Sequence, residues 1–170
     1  MSELEHKISA LEDRVRRLED TADIYRLIAT YGPAVDSGSD AVAGGLWTES
    51  GVYDLGSRRL EGAGEVAAMV RGDAHQGLIQ GGAAHVLAVP LVRIDGDRAV
   101  ATGYSNVYRY VNDAFEVWRT AANRWELERT PDGWRVTCRT TRLLDGNDLS
   151  RDILRRAVEA DTTPLPASDP

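Results

Sequence analysis

Apolar residues recur at helical spacing along the stretch from Asp20 to Asp36. Four of them follow the i, i+3, i+4, i+7 pattern of a helix with one buried face: Ile24, Leu27, Ile28 and Tyr31. Asp36 ends this face beside Gly32 and Pro33, where core packing gives no reason for an acid. Because a buried carboxylate is costly unless another group pairs with it, the pattern predicts a polar partner for Asp36.

A second, narrower apolar stripe precedes this helix. Its members are separated by steps of three and four with charged residues between them: Ile8, Leu11, Val15 and Leu18. Two heptads are too short to form a stable coiled coil alone. The stripe therefore predicts an N-terminal amphipathic helical extension over residues 1–19, laid across its own domain or a neighbouring subunit. A membrane-surface helix is disfavoured, because acids are as frequent as bases on the polar face.

The pattern after Asp36 predicts short elements first and long strands later. Residues 51–55 and 58–62 alternate as a strand pair, residues 62–72 have helical spacing, and residues 73–82 form a glycine-rich connection. From Ala83 onward, apolar and polar residues alternate between turn signals that contain Asp, Asn, Gly and Pro. Four long strands are predicted there: residues 83–94, 98–111, 115–130 and 133–144.

Helices followed by long antiparallel strands predict an α+β domain, with one face of its sheet covered by helices. A chain of 170 residues is expected to form a single such domain, here over residues 20–160. Its last helix should begin near Asn147 or Asp148 and run through Val158. Residues 161–170 have the composition of a disordered tail.

Composition and charge exclude several classes of function. Twenty Lys and Arg against 27 Asp and Glu give a net charge of −7, and no cluster of Lys and Arg forms a stripe that could neutralise a phosphate backbone. No nucleic-acid partner is therefore expected. No apolar run approaches the roughly 20 residues that span a bilayer, and the charged start lacks a signal peptide's apolar region. A cytoplasmic protein with no membrane partner is expected. The lone Cys138 can build neither an internal disulfide nor a thiolate metal site.

His85 is the histidine best placed for chemistry. It lies near the start of the first long strand, and alternation puts its ring on the same face as Ala83 and Leu87. If Asp36 accepts one ring N–H, the other ring nitrogen is free to take a proton from a substrate carbon. Tyr31 would then donate a hydrogen bond to an oxygen on which negative charge develops. The alternative is a half-buried His85 bonded only to backbone.

The remaining residues carry weaker signals. His6 lies on the N-terminal helix and His75 in the glycine-rich connection, and both are expected to be solvated. The chain has no glycine-rich phosphate loop, GxSxG elbow or HExxH motif, which argues against nucleotide, serine-hydrolase and zinc-protease chemistry. An ideal helix separates Tyr31 and Asp36 by about 140°, so both reach one pocket only if the helix bends or the pocket wraps around its end.

The order of these features resembles the SnoaL-like branch of the nuclear-transport-factor-2-like superfamily. The resemblance covers residues 8–158 and rests on Tyr31 and Asp36, on Trp47 leading into a strand, and on the small residues before His85. It implies a cone-shaped α+β barrel, in which N-terminal helices wrap a curved antiparallel sheet around a deep apolar pocket. Six residues are expected to line that pocket: Trp47, Tyr53, Asp54, Tyr104, Asn106 and Trp118.

The members that the chain resembles most are the bile-acid 7α-dehydratases, scytalone dehydratase and the hexachlorocyclohexane dehydrochlorinase. Their base is a histidine on the first long strand, oriented by an aspartate at the end of the first helix, and His85 and Asp36 fall on those positions. Tyr31 falls on the tyrosine of the bile-acid dehydratase. The resemblance implies no metal, no cofactor and a homo-oligomer, either a trimer or a dimer. For scytalone dehydratase's second pocket histidine, this chain offers only neutral candidates such as Asn106 and Asn123.

Three functions fit these features. The first is a cofactor-independent lyase, a dehydratase of a steroid-like or polycyclic hydroxylated molecule, with His85 as base, Asp36 as its orienting partner and Tyr31 as donor. The second is an isomerase of the ketosteroid type, because Asp54 falls where those enzymes carry their base. The third is a non-catalytic protein that binds an apolar, ring-containing small molecule.

Overall fold

The computed structural model describes residues 2–159, which form five helices and seven strands. The helices are α1 (Glu3–Asp36), α2 (Asp40–Gly45), α3 (Gly62–Arg71), α4 (Asp73–Gln80) and α5 (Asp148–Glu159). The strands are β1 (Trp47–Asp54), β2 (Arg59–Glu61), β3 (Ala83–Leu87), β4 (Leu91–Asp95), β5 (Arg98–Val111), β6 (Ala114–Thr130) and β7 (Gly133–Leu143). The predicted tail at 161–170 lies outside the described residues.

The α+β class predicted from the sequence is confirmed. All seven strands form one curved, unclosed sheet in the order β2-β1-β7-β6-β5-β3, with β4 also paired to β5. One pair departs from the predicted antiparallel arrangement, because β1 runs parallel to β7. A parallel pair needs a crossover connection, and the chain from β1 to β7 passes through two helices and five other strands.

The first helix is longer than predicted, because the extension and the predicted helix are one element. Ser2 caps its start: the Ser2 hydroxyl accepts from the Glu5 backbone N–H, and the Glu5 carboxylate accepts from the Ser2 N–H. Pro33 lies inside its last turns, and the helix nevertheless continues to Asp36. Residues 3–19 are exposed throughout, so this part of α1 does not lie across its own domain.

Asp20 marks the point where α1 reaches the body of the domain. Its two carboxylate oxygens accept from Arg129 on β6 at 2.7 and 2.8 Å, and the Trp134 indole N–H donates to the same carboxylate at 3.1 Å. The Arg129 guanidinium also lies 4.5 Å from the Trp134 ring centroid. A bidentate pair of this kind fixes direction as well as charge, so it ties α1 to β6, and the bond from Trp134 ties α1 to β7.

The hydrophobic core lies between helices α1 and α3 and one face of the sheet. Its most deeply buried side chains come from all three layers: Ile24, Val35, Val66, Val70, Trp125 and Val136. No helix within residues 2–159 is both long enough and apolar enough to cross a membrane.

Two predicted segments differ from the structure. Residues 73–80, predicted as a glycine-rich connection, form α4 despite Gly77. The predicted strand 83–94 is divided into β3 and β4 around Pro90, since proline cannot donate a ladder hydrogen bond. The turn predicted near Asn112 is confirmed: Asn112 and Asp113 both have positive φ, as a two-residue hairpin between β5 and β6 requires.

Candidate active site

A close approach of α1 and β3 positions the candidate site. Gly32 of α1 faces the backbone of His85 so closely that a Cβ built on Gly32 would lie 2.2 Å from the His85 carbonyl oxygen. Only glycine lets the two backbones come this near. One helical turn further on, the end of α1 therefore brings Asp36 within reach of β3.

Asp36 and His85 bond through two contacts. The His85 ring Nδ1 lies 2.6 Å from Asp36 Oδ1, and the His85 backbone N–H donates to Asp36 Oδ2 at 2.7 Å. The His85 and Asp36 side chains are 16% and 23% exposed, so water screens the pair only in part. When the proton is on Nδ1, the Asp36 carboxylate accepts a hydrogen bond from that N–H, and Nε2 carries a free lone pair. The polar partner predicted for Asp36 is thus His85, and the histidine is not bonded to backbone alone.

A second histidine lies beside this pair. The ring of His75, on α4, lies beside that of His85 with 5.8 Å between the centroids and 40° between the ring planes, and His75 Nε2 lies 2.8 Å from the Val35 carbonyl oxygen. The prediction that His75 is solvated in a loop is wrong, because residues 73–80 fold as a helix whose inner face carries His75 and Leu78 to the same cavity. The glycine content of the segment hid that periodicity.

Arg139 of β7 is the main residue that the sequence pattern did not single out. It is 2% exposed and lines the cavity, and its Nε and Nη2 both donate to the Asn123 side-chain oxygen, at 3.2 and 2.9 Å. Its guanidinium carbon lies 4.0 to 4.6 Å from the ring centroids of Trp125, Tyr31 and Tyr53. Within residues 2–159 its Nη1 has no hydrogen-bond partner.

A β-bulge explains why Arg139 faces inward. Leu127 pairs with Val136 and Glu126 pairs with Cys138, so Thr137 is an extra residue in β7. The extra residue reverses the alternation beyond it, and Arg139 takes the buried side that strict alternation would give to Cys138. No residue in this strand is of a type that indicates a bulge, so the bulge could not be predicted from the sequence.

Tyr31 also lines the cavity, as predicted for it. Its ring packs edge-on against Trp47, Tyr53 and Trp125, with centroid distances of 5.8 to 6.2 Å. Burial raises the pKa of Tyr31 above its ordinary value, and the neighbouring Tyr53 raises it further. The phenol therefore keeps its proton at neutral pH and can act as a hydrogen-bond donor.

Two further predicted lining residues reach the cavity, Tyr53 and Trp118. Trp118 is the extra residue of a bulge in β6, since Val107 pairs with Arg119 while Tyr108 pairs with Val117. The cavity measures about 560 Å³ and is partly open, a volume within the range of small-molecule sites. Apolar and polar side chains line it, including two acids, Glu65 and Asp73, as well as three arginines and two histidines: Arg58, Arg119, Arg139, His75 and His85.

The other four predicted lining residues lie elsewhere. Trp47 is buried behind Tyr31, in the core. Tyr104 and Asn106 are on the opposite face of β5 from Ser105 and Val107, which do line the cavity, and Tyr104 is 50% exposed.

Asp54, the fourth of these residues, is held by an arginine. Arg142 donates to its two carboxylate oxygens at 2.9 and 2.7 Å, and the Gly56 N–H donates to it at 2.8 Å. The hydrogen bonds from Arg142 hold the pKa of Asp54 below its usual value. Asp54 is therefore a weak proton acceptor in this conformation.

Across residues 2–159, no three His, Cys, Asp or Glu side chains are grouped to hold a metal ion. The arrangement can instead do three things with a ligand in the cavity. His85 can remove a proton, Asp36 can stabilise the imidazolium that forms, and the Tyr31 hydroxyl and Arg139 Nη1 can donate to an oxygen.

Comparison with known proteins places the same residues within a described family. The model of the SnoaL-like domain matches residues 16–140. A solved NTF2-like protein with a cystatin-like fold from Novosphingobium aromaticivorans is 41% identical over 86% of this chain and 96% of that one, with a TM-score of 0.84.

More distant structures share the fold. A protein of unknown function from Mycobacterium tuberculosis is 18% identical over 82% of this chain and 92% of its own, with a TM-score of 0.66. A Nostoc punctiforme protein of unknown function with a cystatin-like fold is 14% identical over 76% and 95% of the two chains, with a TM-score of 0.63. No curated protein matches the chain.

Proposed function

Because this chain belongs to the SnoaL-like domain family, we propose that it is a cofactor-independent lyase, a dehydratase of a hydroxylated ring compound of steroid-like or polycyclic form. The observation that carries the proposal is the bond between Asp36 and His85, 2.6 Å long, on the wall of a cavity of about 560 Å³. A base whose orientation is fixed by a carboxylate is the arrangement that proton abstraction requires.

In the proposed reaction, His85 Nε2 takes a proton from the carbon next to the one that carries the leaving hydroxyl. The C–H electrons form the new C=C bond, the C–O bond breaks, and the hydroxyl leaves as water after it gains a proton. Asp36 stabilises the imidazolium on His85 throughout this step. The reaction is balanced without an oxidant, a reductant or a metal.

Two other groups that line the cavity, Tyr31 and Arg139, support the same chemistry. The Tyr31 phenol is protonated, and the Arg139 Nη1 is buried without a partner among the described residues. Each can donate to an oxygen on the substrate that becomes more negative as the proton leaves, such as a carbonyl conjugated with the new double bond. The proton that His85 takes from carbon can pass to the leaving hydroxyl, directly or through water, which forms the released water and restores the base.

The test is a panel of hydroxylated steroids and polycyclic compounds, with formation of the conjugated double bond followed by ultraviolet absorbance. For a compound that the parent dehydrates, His85→Ala and Asp36→Asn should each lower kcat by at least about 100-fold, the usual contribution of a positioned base. His6→Ala, on the exposed part of α1, is the matched control and should retain full activity. Unchanged turnover in His85→Ala would remove the proposal.

The same panel separates the alternatives. An isomerase based on Asp54 would lose activity in Asp54→Asn and keep much of it in His85→Ala, although the pairing of Asp54 with Arg142 argues against it. A binding protein would retain compounds without converting them. The cytoplasmic location, the apolar ring-containing ligand and the homo-oligomeric state are further parts of this proposal.

A further inference from the structure

The N-terminal half of α1 presents an apolar stripe that no part of its own domain covers. Five large side chains form this stripe, each between 47% and 71% exposed: Leu4, Ile8, Leu11, Val15 and Leu18. They are spaced by alternating steps of four and three over more than two heptads. Side chains of this kind rarely stay in water in such a regular row unless another surface covers them.

The stripe faces away from the domain to which α1 belongs. The buried face further along the helix is centred on Ile24, Ile28 and Tyr31. At 100° per residue, the centre of the stripe lies roughly 160° around the helix from the centre of that buried face. A second helix can therefore lie along the stripe without displacing the sheet or the other helices.

The residue types along the stripe select a particular assembly. In heptad terms, the β-branched Ile8 and Val15 occupy the a positions, and leucine occupies every d position, at 4, 11 and 18. β-branched residues at a with leucine at d favour two parallel strands over three or four. The apolar seam thus favours a pair of helices.

The flanking charges select the partner and its direction. Every e position is an acid, at Glu5, Glu12 and Glu19, and the g positions within the stripe are basic, at Lys7 and Arg14. In a parallel pair, each g residue faces the e residue five positions later on the other helix, so every such contact joins opposite charges. An antiparallel pair would set acids against acids and bases against bases.

We propose that residues 3–19 form a parallel, in-register, two-stranded coiled coil with the same segment of a second copy of this chain. Lys7 pairs with Glu12 of the partner subunit, and Arg14 pairs with Glu19 of the partner subunit. Lys7 bonds to Glu3 at 2.6 Å within its own helix, an exposed contact that costs little to exchange.

Two features let so short a seam hold. The helix continues from the part of α1 that Asp20 ties to the sheet, so dimerisation need not pay for helix nucleation. A capping box already closes its N-terminal end. Because the two helices are parallel, both copies of Asp36, and therefore both cavities, lie at the same end of the dimer.

Disulfide crosslinking tests the direction and register of this dimer. In a Cys138→Ser background, Leu4→Cys places a thiol at a d position that meets its own copy in a parallel pair. His6→Cys, on the opposite side of the same turn, is the matched control. Oxidation should convert most of the Leu4→Cys protein to a covalent dimer and little of the His6→Cys protein. Equal crosslinking of the two, or crosslinking of Leu4→Cys only to an added Val15→Cys protein, which an antiparallel pair would bring together, would overturn the proposal.

Charge reversal tests the pairing itself. The double variant Glu12→Lys/Glu19→Lys sets bases against bases, and its mass by sedimentation equilibrium should fall to half that of the parent. Mixing it with Lys7→Glu/Arg14→Glu, which is equally repelled by itself, should restore the parental mass. A mass that the reversal leaves unchanged, or a mixture that does not recover, would refute the coiled coil.

Discussion

Gly32→Ala gives a direct test of how α1 and β3 form the site. Alanine is the better helix former, and in an open position inside a helix the exchange stabilises a protein by up to about 1 kcal/mol. At Gly32 the added Cβ would lie 2.2 Å from the carbonyl oxygen of His85, whereas real Cβ atoms essentially never come closer than 3.0 Å. The two backbones must therefore separate by at least about 0.8 Å, the difference between those two distances.

The separation has a cost in stability and a cost in the site. Overpacking of this kind typically costs about 1–3 kcal/mol, which outweighs the gain in helix propensity, so Gly32→Ala should be less stable by about 1–2 kcal/mol. The same movement would stretch the bonds of 2.6 and 2.7 Å between Asp36 and His85 toward the length at which a hydrogen bond is lost. Both effects come from one added methyl group.

Urea unfolding and proton NMR measure the two effects separately. Gly77→Ala is the matched control, since Gly77 lies within helix α4 and its added Cβ would meet nothing within 4 Å. We expect Gly77→Ala to raise the midpoint of unfolding and Gly32→Ala to lower it. The downfield signal of the His85 Nδ1 proton should be present in the parent and weakened or absent in Gly32→Ala. If Gly32→Ala is stabilised as much as the control and keeps that signal, the close approach does not hold the site.

Two further predictions concern ionisable groups away from the cavity. Asp20→Asn breaks the bidentate contact with Arg129 and should lower the free energy of unfolding at pH 7 by about 1–3 kcal/mol, a range reduced because the Arg129 side chain is 32% exposed. The hydrogen bonds from Arg129 lower the pKa of Asp20, so this stability is present above about pH 4 and is lost as the pH falls through the folded-state pKa. The urea midpoint of Asp20→Asn should therefore fall less than that of the parent as the pH is lowered. Parallel pH profiles of the two proteins would contradict this. Burial raises the pKa of the Cys138 thiol, so iodoacetamide at pH 8 should modify the folded protein more slowly than the urea-unfolded protein, and equal rates would contradict it.

The sequence allowed the main elements and the two groups of the dyad to be predicted. The period of the apolar residues marked α1, the long strands and the order in which they occur, and the turn residues marked where strands end. Asp36 and His85 could be paired because each stood where a buried charge needs a partner. These inferences depend on near neighbours in the chain, or on a charge that must be compensated wherever the chain places it.

Other residues took their places only through tertiary contacts. Thr137 adds one residue to β7 opposite β6, and that local mismatch turns Arg139 toward the cavity, where its Nη1 is buried without a partner among the described residues. His75 reaches His85 because α4 forms against the sheet despite its glycine. Gly32 lets a helix touch a strand that lies about 50 residues further along the chain.

The periodicity of side chains is local, so the sequence by itself determined most of the helices and strands, though not α4, and which charges need partners. Bulges, close backbone approaches and the parallel pairing of β1 with β7 depend on how distant segments meet. A one-residue slip between strands reverses the face of every side chain beyond it. The pattern of residue types along the chain does not show where such a slip occurs. The tertiary structure alone therefore decided which side chains surround the dyad.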